Sequence, residues 1–446
     1  MASDLRGVRV IVAGAGLAGL TAARALSRRG AVVRVVEARD RIGGRVWTHR
    51  EKPLAPYHAD MGGEFIDRNQ KAIRKLASDL DVPLVRVLRR GFGAVLEHRG
   101  RVRVLPSPKP VTDALTRILE PAVRAFKAAE CDWGSTIAAA IGRQSLREIL
   151  EGADAEPRVQ AYATGLRGLY LADPEDLSAL VAVEQVLADP PPGREPMYRV
   201  AGGAGRLVQA LHDDARCRVD VRHIVRAVSE EDNGVGVTIE GVRGRRATAR
   251  ADYLVATVPA PLLLEWSITP GLPDLQRRAF ESLVYGPATK AVLRFSSRWW
   301  RRRGRPRAFG TNLPIGAVWE SAEDQRKAAM LTLLAGGSAS AALRTLLDTD
   351  AGGLMPRLRW LGSKSKEAPA VVSVSWEDDP WSRGGYAVFS PAFDPALRDS
   401  LSRGTRRILF AGADTSRDFQ GYMNGAVESG LRAAEEIGHL ERLRLP

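Results

Sequence analysis

The 446-residue chain has only two cysteines, Cys131 and Cys217, far apart and outside any CxxC pair. A disulfide scaffold, a zinc ribbon and a dithiol redox site are thereby excluded. Histidine is scarce too. His49, His58, His98, His212, His223 and His439 show no HxxH-type spacing, so no metal site is expected. Long apolar runs are missing, and with them any expectation of a membrane-spanning helix. The apolar stretch from Val8 to Leu20 is broken by Gly14, Gly16 and Gly19 and leads to no small-residue cleavage site. The charged end, Glu435 to Pro446, does not read as an anchor, so a cytoplasmic protein is the expectation.

Lysine is the third scarcity. Of 66 basic residues nine are lysine and the other 57 arginine, and the formal charge is +14. The arginines are dispersed, with Arg301, Arg302 and Arg303 the densest run. A dispersed excess forms no groove-binding stripe, so no nucleic-acid partner is expected. Apolar residues at 45% and charged residues at 26% are the balance of a globular protein, and the length exceeds one ordinary core. No tandem repeat, low-complexity tract or GxSxG element is found.

What is present is concentrated at the start. Val8 to Ala13 reads as a buried parallel strand, Leu20 to Arg29 as a helix, and Ala31 to Val36 as a second strand closing at Glu37. Between the first strand and the helix lies Gly14-Ala15-Gly16-Leu17-Ala18-Gly19. Gly14 permits the tight turn, Gly16 lets a pyrophosphate approach the backbone, and Gly19 allows close helix–strand packing. The free N–H groups of the helix start then face the phosphates. Glu37 stands where a carboxylate accepts both ribose hydroxyls of an adenosine and repels a 2′-phosphate, which favours FAD or NAD over NADP. The continuation, Ala38-Arg39-Asp40-Arg41-Ile42-Gly43-Gly44-Arg45-Val46-Trp47-Thr48, supplies a second glycine pair and arginines able to neutralise a diphosphate, as a longer cofactor requires.

Elsewhere, Lys71–Leu80, Thr112–Lys127 and most of Leu146–Leu187 read as helical, and Asp189-Pro190-Pro191-Pro192-Gly193 as a linker. Arg218–Val228, Val235–Glu240, Ala247–Val258, Leu283–Phe295, Ala329–Ala335 and Ala370–Trp376 read as strands, with Asn233-Gly234 a hairpin turn. Arg407–Ala411 and Gly421–Glu436 read as a strand followed by a long helix.

The stretch Val8–Thr48 closely resembles the flavin-containing amine oxidase superfamily of monoamine, polyamine and L-amino-acid oxidases. The resemblance returns at Asp60-Met61-Gly62-Gly63-Glu64-Phe65, at Tyr198–Gly203, at Asp252–Pro259, and at Phe410–Thr415 with Gly421–Gly430. It implies an α/β fold, in which a Rossmann-type FAD-binding domain (1–85, 195–265 and 400–446) interleaves with an α+β substrate-binding domain of mixed sheet plus helices (86–194 and 266–399). It implies cofactor contacts at Gly14, Gly16, Leu17, Gly19, Glu37, Arg39, Gly44, Arg45, Gly62, Val225, Asp414 and Met423. Two departures stand out: Asp414 occupies the place of a glutamate, and Gly385, in Arg383-Gly384-Gly385-Tyr386, that of the cysteine that attaches flavin in covalent members. Non-covalent FAD is therefore expected.

For the chemistry, the resemblance implies Tyr386 and Tyr422 flanking the amine path, Trp381 walling the same cavity, and Lys290 holding a water against flavin N5. Lys290 lies on a mostly apolar strand, where a charge is out of place. Glu64 either attracts a cationic substrate headgroup or pairs with an arginine. The expected reaction is hydride transfer from an amine α-carbon to FAD, with oxygen reduced to hydrogen peroxide. The alternatives are an L-amino-acid oxidase, which needs a carboxylate-binding arginine, a desaturase of the same fold, or a flavin-bound scaffold. The oligomeric state is left open, a homodimer being one option.

Overall fold

The computed structural model describes residues 4–188, 196–321, 323–349, 351–362 and 368–443. The proline-rich stretch Asp189–Gly193 and the 194/195 boundary lie outside them. Among the described residues, five strands form a parallel sheet in the order Arg218–Val221, Val32–Glu37, Arg9–Ala13, Tyr253–Ala256, Ile408–Phe410. Burial on both faces explains why the central strands are mostly apolar, whereas the edge strand Arg218–Val221 is half charged and not buried. Val10, Val12, Val33 and Val35 pack with Leu20 and Leu26 of the first helix, Leu17–Ser27, while Ile11, Ala13, Val36 and Leu254 face the opposite core.

A seven-stranded mixed sheet holds most of the remainder, in the order Ala370–Ser375, Ala288–Phe295, Ala329–Gly336, Ala317–Glu320, Ala308–Thr311, Phe92–His98, Arg101–Leu105. Its neighbours are antiparallel except Ala308–Thr311 with Phe92–His98. A four-stranded sheet, a three-stranded one (Ile66–Asp67, Met197–Val200, Leu84–Val87) and two two-stranded pairs complete the frame among the described residues. No helix among the described residues is long and apolar enough to cross a membrane.

Three of the expected strands are in fact pairs. Arg218–Val228 breaks at Arg222, whose φ of 57° turns the chain from the parallel sheet into the four-stranded one. Ala247–Val258 divides at Asp252 between the same two sheets, and Leu283–Phe295 at Gly286-Pro287. Glu231 and Gly234 pair across the hairpin, so its turn is Asp232-Asn233, one residue earlier than expected.

The last helix, Met423–Arg442, lies directly on the first. Gly430 makes this crossing possible, because a Cβ there would run into the Ala18 carbonyl and approach Thr21 Cβ to 3.0 Å. Gly430→Ala should therefore separate the helices. We expect a loss of about 1–3 kcal/mol, seen as a lowered Tm by calorimetry; an unchanged Tm would show that the crossing tolerates a methyl group.

Candidate active site

The glycine loop adopts the geometry its sequence requires. Gly14 has φ of 108° and a Cβ there would stand 2.5 Å from Thr257 Oγ1, while the space beside Gly16 is open. Gly16 caps the first helix in an extended conformation, with no side-chain hydrogen bond and no acidic residue in the first turn. The helix start at Leu17 thus offers N–H groups and a positive dipole end to an anion. The second glycine pair runs alongside: Gly43 N–H donates to the Ala15 carbonyl (2.8 Å), and Gly44, with φ of 57°, lies against Gly16.

Glu37 is buried, accepting the Ala15 N–H at Oε2 and the Arg39 N–H at Oε1, each at 2.8 Å. Each oxygen keeps a further lone pair for a ribose hydroxyl. Val225 is set beside it, because Arg222 and His223 donate their N–H groups to the Arg39 and Glu37 carbonyls. The arginines do more than await a diphosphate. Arg39 donates to Asp379 (2.5 Å) and Ser382 (2.7 Å), and Arg45 donates to the Gly385 carbonyl (2.9 Å). Both tie the cradle to the loop that carries Tyr386.

At the far end, Tyr422 is the N-cap of the last helix and its side chain does not cap the helix, giving a second start at Met423 without a capping side chain. A Cβ on Gly63 would lie 2.9 Å from the Met423 sulfur, and one on Gly62 would strike the Arg45 carbonyl. Gly63 therefore abuts Met423, and Gly62 abuts Arg45. Asp414 is 6% exposed; its Oδ2 accepts the Tyr285 hydroxyl, which itself accepts the Ala260 N–H at 3.0 Å. Its Oδ1 is buried without a partner among the described residues. A buried carboxylate oxygen left bare is costly, so a donor from a bound group fits there.

Tyr386 donates its hydroxyl to the Leu169 carbonyl, and its ring lies 3.2 Å from where a Gly421 Cβ would stand, next to Tyr422. Burial, then the Tyr422 and Tyr170 hydroxyls, push the Tyr386 pKa up, so its phenol stays protonated. The two expected tyrosines thus come together with a third. Tyr170 is held by Leu171, a left-handed residue (φ 56°) wedged against Gly286, Gly336 and Gly385.

Trp381 departs from expectation. It lines a cleft with Ala38, Arg39, Arg41, Trp47 and Asp379, at the Glu37 end of the cradle, its N–H donating to Asp379 (2.9 Å). Glu64 also departs from a substrate-pocket role. It is 6% exposed, with Oε2 on Lys290 Nζ (2.7 Å) and Oε1 on Arg199 Nε (2.7 Å) and Trp319 Nε1 (3.2 Å). Burial works to raise its pKa, but Arg199 and Lys290 outweigh that and hold it below the usual carboxylate range. Lys290, 3% exposed, also donates to the Gly62 carbonyl (3.0 Å). Tyr170, Tyr285 and Trp319 carried no local sequence signal, and Arg199, though inside the Tyr198–Gly203 segment, was not singled out; only the pairing of distant strands and loops brings them here.

The glycine cradle between two uncapped helix starts, with a bare buried carboxylate oxygen, has the features expected of a dinucleotide-binding oxidoreductase. The model of the flavin-containing amine oxidoreductases matches residues 17–438, and the chain belongs to that family. It is an oxidoreductase acting on amines, with a flavin as cofactor. Amine oxidase [flavin-containing] B of Sus scrofa is 25% identical over 458 residues, covering 96% of this chain and 86% of that protein. Cyclohexylamine oxidase from Brevibacterium oxydans IH-35A shares the fold, with a TM-score of 0.83 and 23% identity over 98% of this chain and 100% of that one. So does putrescine oxidase bound to putrescine, with 0.84 and 22% over 96% and 98%.

Asp60 gives the site a pH signature. It accepts Thr48 Oγ1 (2.5 Å) and the Ala204 N–H (2.9 Å), and burial, then the Glu64 charge, raise its pKa to about 6. The folded chain then binds this proton near pH 6, the unfolded chain near the ordinary value of 3.8. Stability contributed by the proton is full below about pH 4 and lost as pH rises through 6, up to about 3 kcal/mol. Asp60→Asn should lack that loss, so its Tm relative to wild type should rise between pH 4 and pH 7. A constant difference would contradict the assignment.

Proposed function

We propose that this enzyme holds FAD without a covalent bond and oxidises an amine at its C–N bond, giving an imine and hydrogen peroxide. The observation that carries the reading is the closeness of Tyr386 to Gly421 and Tyr422 at the start of the last helix, where Met423 lies against Gly63. When bound, the flavin supplies the acceptor for the hydride leaving the amine α-carbon and returns both electrons to oxygen. In the cradle, Gly14, Gly16, Leu17 and Gly19 would hold the diphosphate, and Glu37 and Val225 the adenosine. Gly44, Arg45, Gly62, Met423 and Asp414 would hold the remainder. Asp414 is one methylene shorter than the family's glutamate, and its bond to Tyr285 aims it.

Tyr386 and Tyr422 would orient the amine and exclude water. The Tyr386 phenol, held protonated, would leave the neutral amine nitrogen free to form the C=N bond as hydride departs. Lys290 would place its ammonium at the flavin and favour the negative charge that reduction creates. The imine then hydrolyses to an aldehyde or ketone. Gly385 supports non-covalent attachment: it has no sulfur, and a Cβ there would run into Leu171 and stand 2.9 Å from Ala288 Cβ.

The domain division given above belongs to this reading. It is supported by the parallel sheet, whose five strands all fall in 1–85, 195–265 and 400–446, and by the seven-stranded sheet, which falls wholly in the other segments. Ser267–Thr269, which joins the four-stranded sheet, would move one boundary past 269. Cytoplasmic residence is supported by two free cysteines, Cys131 exposed and Cys217 half-buried.

The test is to mix purified enzyme anaerobically with amines and with amino acids and follow the flavin band. Bleaching by an amine, with peroxide formed on admitting oxygen, is expected; bleaching by amino acids alone would assign an L-amino-acid oxidase. Acid precipitation should leave the yellow colour in solution, whereas colour retained on the pellet would contradict non-covalent binding. Lys290→Met should slow reoxidation more than reduction; an unchanged ratio of the two rates would overturn its assigned role.

A further inference from the structure

We propose that Glu64 is the positioning residue for Lys290, and that Arg199 holds Glu64 in turn. The inference rests on the role given to Lys290 above and extends it to groups outside the expected cofactor contacts. Lysine carries a compact charge on a flexible four-carbon stem, so its ammonium is placed only as well as its acceptors are. Here both acceptors, the Gly62 carbonyl at 3.0 Å and Glu64 Oε2 at 2.7 Å, belong to the loop that abuts Arg45 and Met423. That loop fixes the height of the ammonium above the flavin-facing glycines.

Glu64 needs its own anchor, and the structure provides one on its opposite oxygen. Arg199, on the strand Met197–Val200, meets Oε1 at 2.7 Å, and the Trp319 indole donates to the same oxygen. Arg199 also stacks on Phe65 (4.8 Å), and Phe65 packs on Trp319 (5.4 Å). Trp319 in turn lies 5.3 Å under the Lys290 ammonium. A closed ring results, buried except at the half-buried Phe65, running from the three-stranded sheet through Glu64 to the seven-stranded sheet. A carboxylate meant for a substrate headgroup would face a cavity; this one is enclosed by protein donors on both oxygens.

The test compares wild type, Glu64→Gln, Lys290→Met and the double variant in two readouts. The first is the rate of each half-reaction by rapid mixing, and the second is the affinity of the oxidised flavin for sulfite, read from bleaching of its band. If Glu64 acts through Lys290, Glu64→Gln slows reoxidation by about tenfold with reduction changed far less, and the double variant is no slower than Lys290→Met alone. Sulfite affinity then shifts in the same direction in both single variants. Effects that multiply in the double variant, or wild-type reoxidation and sulfite affinity in Glu64→Gln while Lys290→Met is slow, overturn the proposal. Wild-type reoxidation in Lys290→Met instead overturns the reading beneath it. If Glu64→Gln does not fold, Glu64→Asp keeps the charge on a shorter stem; reoxidation slowed selectively supports the proposal, and wild-type rates overturn it.

Discussion

The crossing of the first and last helices is the constraint from which the site follows. Gly430 brings the two backbones together, and each helix begins without a side-chain cap or an acidic first turn. Each start carries roughly half a positive charge on unpaired N–H groups. In the proposed reading, helix starts from residues 17 and 423, far apart in the sequence, would serve one cofactor. This also accounts for the parallel sheet beneath them, whose five strands are drawn from the beginning, middle and end of the sequence.

Around that crossing, buried carboxylates divide the labour. Glu37 is held by two backbone N–H groups, Glu64 by two cations and an indole, and Asp414 by Tyr285 on one oxygen only. Taking a carboxylate out of water costs several kcal/mol unless donors replace the lost hydration. Glu64 is already satisfied and so acts as structure for its neighbours. Asp414 is left one donor short among the described residues, which is what the proposed cofactor role requires of it. The same comparison explains why Arg39 and Arg45 serve as ties between the cradle and the Tyr386 loop as well as positive charge near it.

Much of the cradle was legible because it is local. Gly14, Gly16, Gly19 and Glu37 lie within 24 residues of one βαβ unit, and backbone geometry alone assigns their tasks. Tyr386 and Tyr422 were reachable only through resemblance, since nothing in their neighbourhoods announces a pair. Trp381 misled because it sits five residues before Tyr386 in a turn-rich loop, where that offset carries a side chain to the other end of the cradle. Glu64 remained ambiguous for a different reason: its indole partner lies 255 residues away and its lysine partner 226. The strands Phe92–His98, Arg101–Leu105, Ala308–Thr311 and Ala317–Glu320 escaped notice as well, being short or interleaved with charge, and stabilised by pairing with one another.

If the two helix starts and Glu37 form one dinucleotide cradle, binding must depend on the diphosphate and adenosine, beyond the flavin ring. Titrating the flavin-free protein with FAD and with riboflavin, each followed by flavin fluorescence, measures this directly. The account predicts one FAD per chain, bound at least about 100-fold more tightly than riboflavin, the worth of two or more charge-assisted hydrogen bonds. Equal affinity for the two would contradict it.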